Sequence, residues 1–162
     1  MSNLPLLPTT VVGSHAKPGW WHACKDLFGQ DEWGQSDLDE LLNDAVEIAI
    51  LDQNQAGIDI ITDGESRRLD GYVDSYYSII EGIRPIALER KAGPWGYDQQ
   101  TRYHAVDKII APMGLGIVKE FEYLTSRTRK PTKVTCAGPL TFGSRIHPGE
   151  VYEKSIDVAN EF

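Results

Sequence analysis

The chain has 162 residues, with 16 Lys and Arg against 24 Asp and Glu, so its formal charge is −8. At 41% hydrophobic and 25% charged residues it has the composition of a globular chain with a core, not of a disordered one. The acidic balance argues against nucleic-acid or anionic-membrane binding, no apolar run is long enough to span a bilayer, and the two cysteines, Cys24 and Cys136, make no disulfide framework, so a cytoplasmic setting is expected.

Thr9-Thr10-Val11-Val12 is a β-branched run that predicts a short strand, ending in a tight turn at Gly13-Ser14. Residues Pro18 to Gly34 read as an aromatic-rich excursion with one helical turn. Ser36 is the expected N-cap of a helix running to about Gln55, with Leu38, Leu41, Leu42, Ala45, Ile48 and Ala49 at helical spacing and Gly57 as its stop. Ile58 to Thr62 predicts a buried strand, and Asp63-Gly64-Glu65-Ser66-Arg67-Arg68 a polar loop leaving it.

A second helix is expected over roughly Gly71 to Glu81. Arg84–Lys91 and Arg102–Ile110 flank Gly93-Pro94-Trp95-Gly96 as the arms of a hairpin. Gly114 to Thr125 predicts a helix with Ile117, Val118, Phe121 and Leu124 inward. Lys133 to Cys136 predicts a strand closed by Ala137-Gly138-Pro139-Leu140-Thr141, and a last helix starts near Pro148-Gly149-Glu150. Alternating strands and helices imply an α/β fold with parallel strands, whose carboxyl ends carry the site. Three polar loops, at Gly13-Ser14, Asp63-Gly64-Glu65 and Gly138-Pro139-Leu140-Thr141, follow strands and are expected to converge.

About three core strands are visible, whereas a closed (β/α)8 barrel needs eight and about 250 residues. The last helix also lacks a stop signal. Residues 1–162 are therefore read as a single domain, the N-terminal part of a (β/α)8 TIM-like barrel with an inserted β-hairpin. The alternative is a small complete domain. A half-barrel leaves sheet edges that favour self-association or a second, completing chain.

Leu7 to Ser14, Gln53 to Arg68 and Lys133 to Thr141 together resemble the opening strands and loops of the catalytic barrel of the cobalamin-independent methionine synthases, over about residues 7 to 145. The resemblance implies zinc-dependent methyl transfer to a thiol such as homocysteine, with methyl-folate or another methyl donor. It places the zinc ligands beyond this chain, so no metal residue is assigned here and the catalytic groups remain unassigned. It implies that Val12, Gly13 and Ser14 hold the amino-acid head of the substrate and that Glu65, read as a solvent-facing carboxylate, pairs with its ammonium group. Asp63, Arg102 and Thr141 are secondary candidates: Asp63 to hold the loop, Arg102 in a segment that meets a folate tail, Thr141 on the cleft floor. Phe142 and Gly143 stand where the family carries a stacking Trp, which weakens folate as the donor.

Plainer roles compete at several positions. Glu65 can serve only as a bridge to Arg67 or Arg68. His22-Ala23-Cys24 resembles a ligand triplet, yet on a helix residues i and i+2 point roughly 200° apart, so packing is the better reading. Cys136 is expected to be a small buried side chain, His15 a surface histidine, and Trp20, Trp21 and Trp33 packing residues. Two other functions remain open: a relative acting on another thiol, as the coenzyme M transferases do, and a non-catalytic half-barrel that serves as an assembly module.

Overall fold

In a computed structural model the described residues are 4–25, 27, 33–69, 72–86 and 101–162. In chain order they form α1 (Gly19–Lys25), α2 (Gln35–Gln55), α3 (Asp74–Tyr77), β1 (Glu81–Ile86), β2 (Arg102–Ile110), α4 (Ile117–Arg127), α5 (Pro139–Gly143), β3 (Ile146–His147) and α6 (Ser155–Ala159). They fall into two compact units, one of residues 1–72 and 116–135, the other of residues 73–115 and 136–162. No helix among the described residues is long and apolar enough to cross a membrane.

The first unit is organised by α2. Leu41, Leu42, Ala45, Val46, Ala49 and Ile50 are buried, the three-and-four spacing of an apolar stripe. The N-cap is Gly34, not Ser36: the Asp37 carboxylate reaches back to accept the Gly34 N–H at 2.8 Å, which satisfies an otherwise orphaned donor and leaves Ser36 inside the first turn. At the other end Gly57 takes φ +76°, the left-handed conformation that stops a helix. Val46 and Ile50 pack with Ile61 and Leu124 of α4, while Trp21, Leu41 and Ala45 form a second cluster with Cys24, Leu38 and Leu69.

Three extended segments lie side by side and parallel, through bridges Thr10 to Ile60 and Ile61 to Thr132. The expected strands at 9–12, 58–62 and 133–136 are thus reduced to single bridges. Side chains replace part of the ladder: the Asp59 carboxylate accepts both the Thr9 N–H and its hydroxyl at 2.8 Å, and these bonds hold the Asp59 carboxyl below the usual range. Buried Gln53 does the same from α2, donating to Thr62 O at 2.8 Å and accepting the Thr62 N–H at 2.9 Å. Pro131 has no N–H to offer.

α4 begins at Ile117 behind Gly116, at φ +79°. Glu120 and Leu124 face inward, while Val118 is 70% and Phe121 42% exposed, contrary to the expected face. Glu120 is drawn in by the Arg68 guanidinium at 3.3 Å, and that fixes the rotation of the helix.

In the second unit β1 and β2 pair antiparallel; β2 has its predicted bounds, whereas β1 starts at Glu81, before the predicted Arg84, and residues 87–91 of that arm lie outside the described residues. Glu81 faces Ile110 and Ile86 faces Arg102, with an irregularity between Glu81 and Ile83. Gly82 sits there at φ +84°, and a Cβ would lie 2.3 Å from Lys108 O, so only glycine fits. The predicted turn at Gly93 to Gly96 lies outside the described residues. β3, which the sequence pattern did not reveal, pairs parallel with β2. The helix expected over 71–81 is a single turn, because the chain enters β1 at Glu81, and the last helix starts at Ser155, since Pro148-Gly149-Glu150 forms a turn with Gly149 at φ +65°. Rings fill the core: Tyr77 stacks on Tyr103 at 4.5 Å, Phe142 on Phe162 at 5.0 Å, and Tyr76 meets Phe142 edge-on at 5.5 Å. The α/β class therefore holds, with one small sheet; no closed barrel is formed among the described residues.

Candidate functional site

The carboxyl ends of the three parallel segments, all in the first unit, meet at Glu65. The Ser14 hydroxyl donates to Glu65 Oε2 at 2.7 Å, and the Thr135 hydroxyl donates to Glu65 Oε1 at 2.9 Å. Ser14 follows the first segment, Glu65 the second and Thr135 the third. Three loops far apart in sequence thus converge on one carboxylate, as parallel strand ends dictate. Within the first unit the third segment contributes through Thr135.

The turn that presents Glu65 is buried: Asp63, Glu65, Ser66 and Arg68 are each at most 4% exposed. Glu65 is therefore not the solvent-facing carboxylate that its polar neighbours predict. Burial of the Glu65 and Arg68 charges is tolerated because they are paired. Arg68 Nη1 lies 3.3 Å from Glu65 Oε1 and Arg68 Nη2 3.3 Å from Glu120 Oε2, while the same guanidinium donates to Thr135 O and lies over the Tyr72 ring. Of the two arginines weighed as bridges, Arg68 pairs with Glu65. Arg67 instead bonds Asn43 and covers the Tyr123 ring at 4.4 Å.

Glu65 has φ +52°, a conformation that costs a non-glycine residue roughly 1–2 kcal/mol. It is held by the Glu65 N–H donating to Asp63 Oδ1 at 3.0 Å, by Lys17 Nζ donating to Glu65 O at 2.8 Å, and by the His15 N–H donating to Gly64 O at 2.9 Å. Gly64 is required beside it: a Cβ there would come within 2.7 Å of both Ala49 Cβ and His15 Cβ.

Burial pushes the Asp63 carboxyl upward, against the pull of its bond to the Glu65 N–H and of Arg68; Asp63 Oδ2 is buried without a hydrogen-bond partner. Burial likewise raises Glu120, opposed by Arg68. It lowers Lys17 to about 8, despite the favourable charges of Asp63 and Glu65.

Of the residues predicted for the substrate head, Ser14 reaches Glu65 directly. Gly13, at φ +87° with open space around it, and Val12, 84% exposed, are the exposed neighbours of that contact. Asp63 braces the turn. Arg102 and Thr141 belong to the second unit, where both are exposed. His15 bonds Asp52 at 2.9 Å. Cys136 is exposed, not buried, because its segment leaves the parallel array at Thr135. Trp21 packs in the core, and His22 and Cys24 lie on α1. Lys17, Glu120 and Thr135 escaped sequence reading; Lys17, three residues past Ser14, carries the one local signal.

Among the described residues no three His, Cys, Asp or Glu side chains gather as a metal site. The resemblance places the zinc ligands beyond this chain; the groups gathered at Glu65, a carboxylate with two hydroxyls, an ammonium and a guanidinium around it, can form hydrogen bonds and ion pairs. An open hollow of about 690 Å³ lies apart from Glu65, between Trp20, Arg127 and the α2 residues Asp44, Glu47 and Leu51, and contains none of the predicted site residues.

The family described as "Cobalamin-independent synthase, Catalytic domain" matches residues 7–153. A methionine synthase of Saccharolobus solfataricus is 37% identical over 161 residues, covering 98% of this chain and 46% of that protein. One of Sulfurisphaera tokodaii is 33% identical, with the same coverage. A solved B12-independent methionine synthase of a Shewanella species, in complex with selenomethionine, superposes with a TM-score of 0.74 at 24% identity over 98% of this chain and 45% of its own, which shows a shared fold. The chain spans about half the length of these relatives.

Proposed function

The chain belongs to the cobalamin-independent synthase catalytic-domain family, and on that footing we propose that it supplies the part of a methionine-synthase-type methyltransferase that holds the amino-acid head of the substrate. The observation that carries this reading is the convergence of Ser14, Glu65 and Thr135 on one buried carboxylate at the ends of parallel segments. A carboxylate in a strained, over-determined turn is pre-organised for a single geometry. An α-ammonium group arriving at Glu65 makes charge-assisted bonds, and the hydroxyls of Ser14 and Thr135 orient the oxygens. The exposed Val12-Gly13-Ser14 backbone stands ready for the α-carboxylate.

In this reading the thiol acceptor is homocysteine, the chain is the N-terminal part of a (β/α)8 barrel completed by further chain or by a second polypeptide, the setting is cytoplasmic, and the zinc and methyl-donor chemistry comes from residues other than those described. The family membership and the half-length match support it.

Calorimetry with L-methionine and with 3-(methylthio)propionate, which lacks the amino group, tests the assignment. Glu65→Gln keeps the shape and removes the charge. L-methionine binding should weaken about ten- to a hundredfold, as loss of a charge-assisted bond of roughly 1.5–3 kcal/mol requires, while the desamino compound is unaffected. Equal losses for both would reduce Glu65 to a brace for Arg68. Preference for 2-mercaptoethanesulfonate over homocysteine would favour a coenzyme M-type acceptor.

A further inference from the structure

We infer that Lys17 is the positioning residue that keeps the Glu65 carboxylate in its binding geometry. This rests on the reading of Glu65 as the ammonium-binding group.

The main chain at Glu65 is left-handed and returns to an ordinary conformation unless held. Most of its restraints are local, coming from Asp63 and from the Arg68 N–H, which donates to Glu65 O at 3.2 Å. Two reach it from the first loop. The His15 N–H bonds the preceding carbonyl, and the Lys17 ammonium bonds the carbonyl of Glu65 itself at 2.8 Å. Only the second is a charged donor, and a charged donor makes the stronger bond. Lys17 is half-buried, so its ammonium gives up water to make this contact instead of extending into solvent as lysines do.

Its surroundings are specific. The Asp63 and Glu65 carboxylates favour the ammonium, and Arg68 opposes it. On α1 the Trp21 ring lies 5.6 Å from Lys17 Nζ and 5.9 Å from Lys25 Nζ. His15, two residues away, is engaged with Asp52. Lys17 thus ties the first loop to the second by its side chain, just as Ser14 ties them through the carboxylate. Without that tie the carboxylate loses its alignment between Ser14 and Thr135.

Because burial brings Lys17 to about 8, the tie weakens in a reachable range of pH. Isotope-labelled chain followed by amide resonances from neutral to mildly alkaline pH reads it directly, without substrate. The Glu65 and Ser66 amides should shift with a midpoint near 8; Lys17→Met should abolish the shift, and Lys17→Arg should hold the neutral-pH position throughout. L-methionine affinity should fall as pH rises through this midpoint in the unaltered chain. It should be roughly tenfold weaker and flat with pH in Lys17→Met, and it should be kept in Lys17→Arg. If Lys17→Met does not fold, the contrast between the unaltered chain and Lys17→Arg decides. Amides that do not titrate near 8, or a Lys17→Met chain that retains the shift, would overturn the inference. Amides that titrate as expected in a chain that binds no L-methionine would sustain the tie by Lys17 and overturn the amino-acid reading instead.

Discussion

The Asp63–Arg68 turn and the aromatic cluster around Phe142 are both buried, by opposite means. Around Phe142 (1% exposed) rings meet rings and the Tyr77 hydroxyl donates to Phe142 O at 2.7 Å; burial raises the Tyr77 hydroxyl to about 12, so it stays neutral. Around Glu65 two carboxylates share one guanidinium, a third carboxylate has an oxygen without a partner, and the backbone is left-handed. Apolar packing in the first place is sufficient reason for the residues present. In the second place a hydrophobic set would be as stable or more so, so stability alone does not account for a strained, polar turn at three strand ends. The contrast teaches where to look for function: at the burial that is costly, not at the burial that is cheap.

Two truncations with the largest expected effects set the regions against each other. Phe142→Ala should cost about 3–5 kcal/mol through lost transfer energy and cavity formation, equally at acid and neutral pH. Arg68→Ala should cost about 3–5 kcal/mol near neutrality, because Glu65 and Glu120 are left as uncompensated buried charges. That loss should shrink as pH falls and Glu120, already raised by burial, protonates. Urea unfolding of both variants at two pH values checks the difference; a pH-independent Arg68→Ala would mean that packing against Tyr72 dominates.

Next come the glycines. Gly64→Ala combines a left-handed φ of +66° with contacts of 2.7 Å, so about 2–4 kcal/mol is expected. Gly57→Ala has φ +76° but nothing within 4 Å and should cost only about 1 kcal/mol. Equal losses by thermal unfolding would show that the Gly64 turn shifts freely and is not over-determined.

The smallest expected effect is on Asp63. Its folded carboxyl titrates above the ordinary 3.8 because of burial. Its contribution is therefore full below that value and lost as pH rises through the raised one. Asp63→Asn keeps an oxygen for the Glu65 N–H and should gain stability relative to the unaltered chain as pH rises toward neutrality. Unfolding midpoints at acid and neutral pH decide; a variant that loses ground as pH rises would show the ionised Asp63 to be favourable, through Lys17 and Arg68.

The difference between the regions is also a difference in legibility. Local chemistry carried α2 almost to its ends, since its stripe is a property of the sequence alone, and it carried the second hairpin arm and the Arg84 to Ile86 part of the first. It missed β3, two residues long, whose pairing depends on β2 more than forty positions earlier. It turned α4 by its most apolar face, because nothing local announces that Glu120 answers Arg68 across fifty-two residues.

At the site, Ser14, Asp63 and Glu65 stood out as polar residues just past apolar runs, and the family resemblance rested on those same motifs. The sequence by itself determined the helical stripe, the parallel α/β order and the loops that leave the strands, because periodicity and turn chemistry act over a few residues. Only the tertiary structure decided that the Glu65 turn is buried, that the Thr135 hydroxyl reaches it, that Cys136 faces solvent and that Lys17 holds the Glu65 carbonyl. Each of these depends on charges and donors brought together from distant parts of the chain, where the cost of burying one group is met only by the position of another.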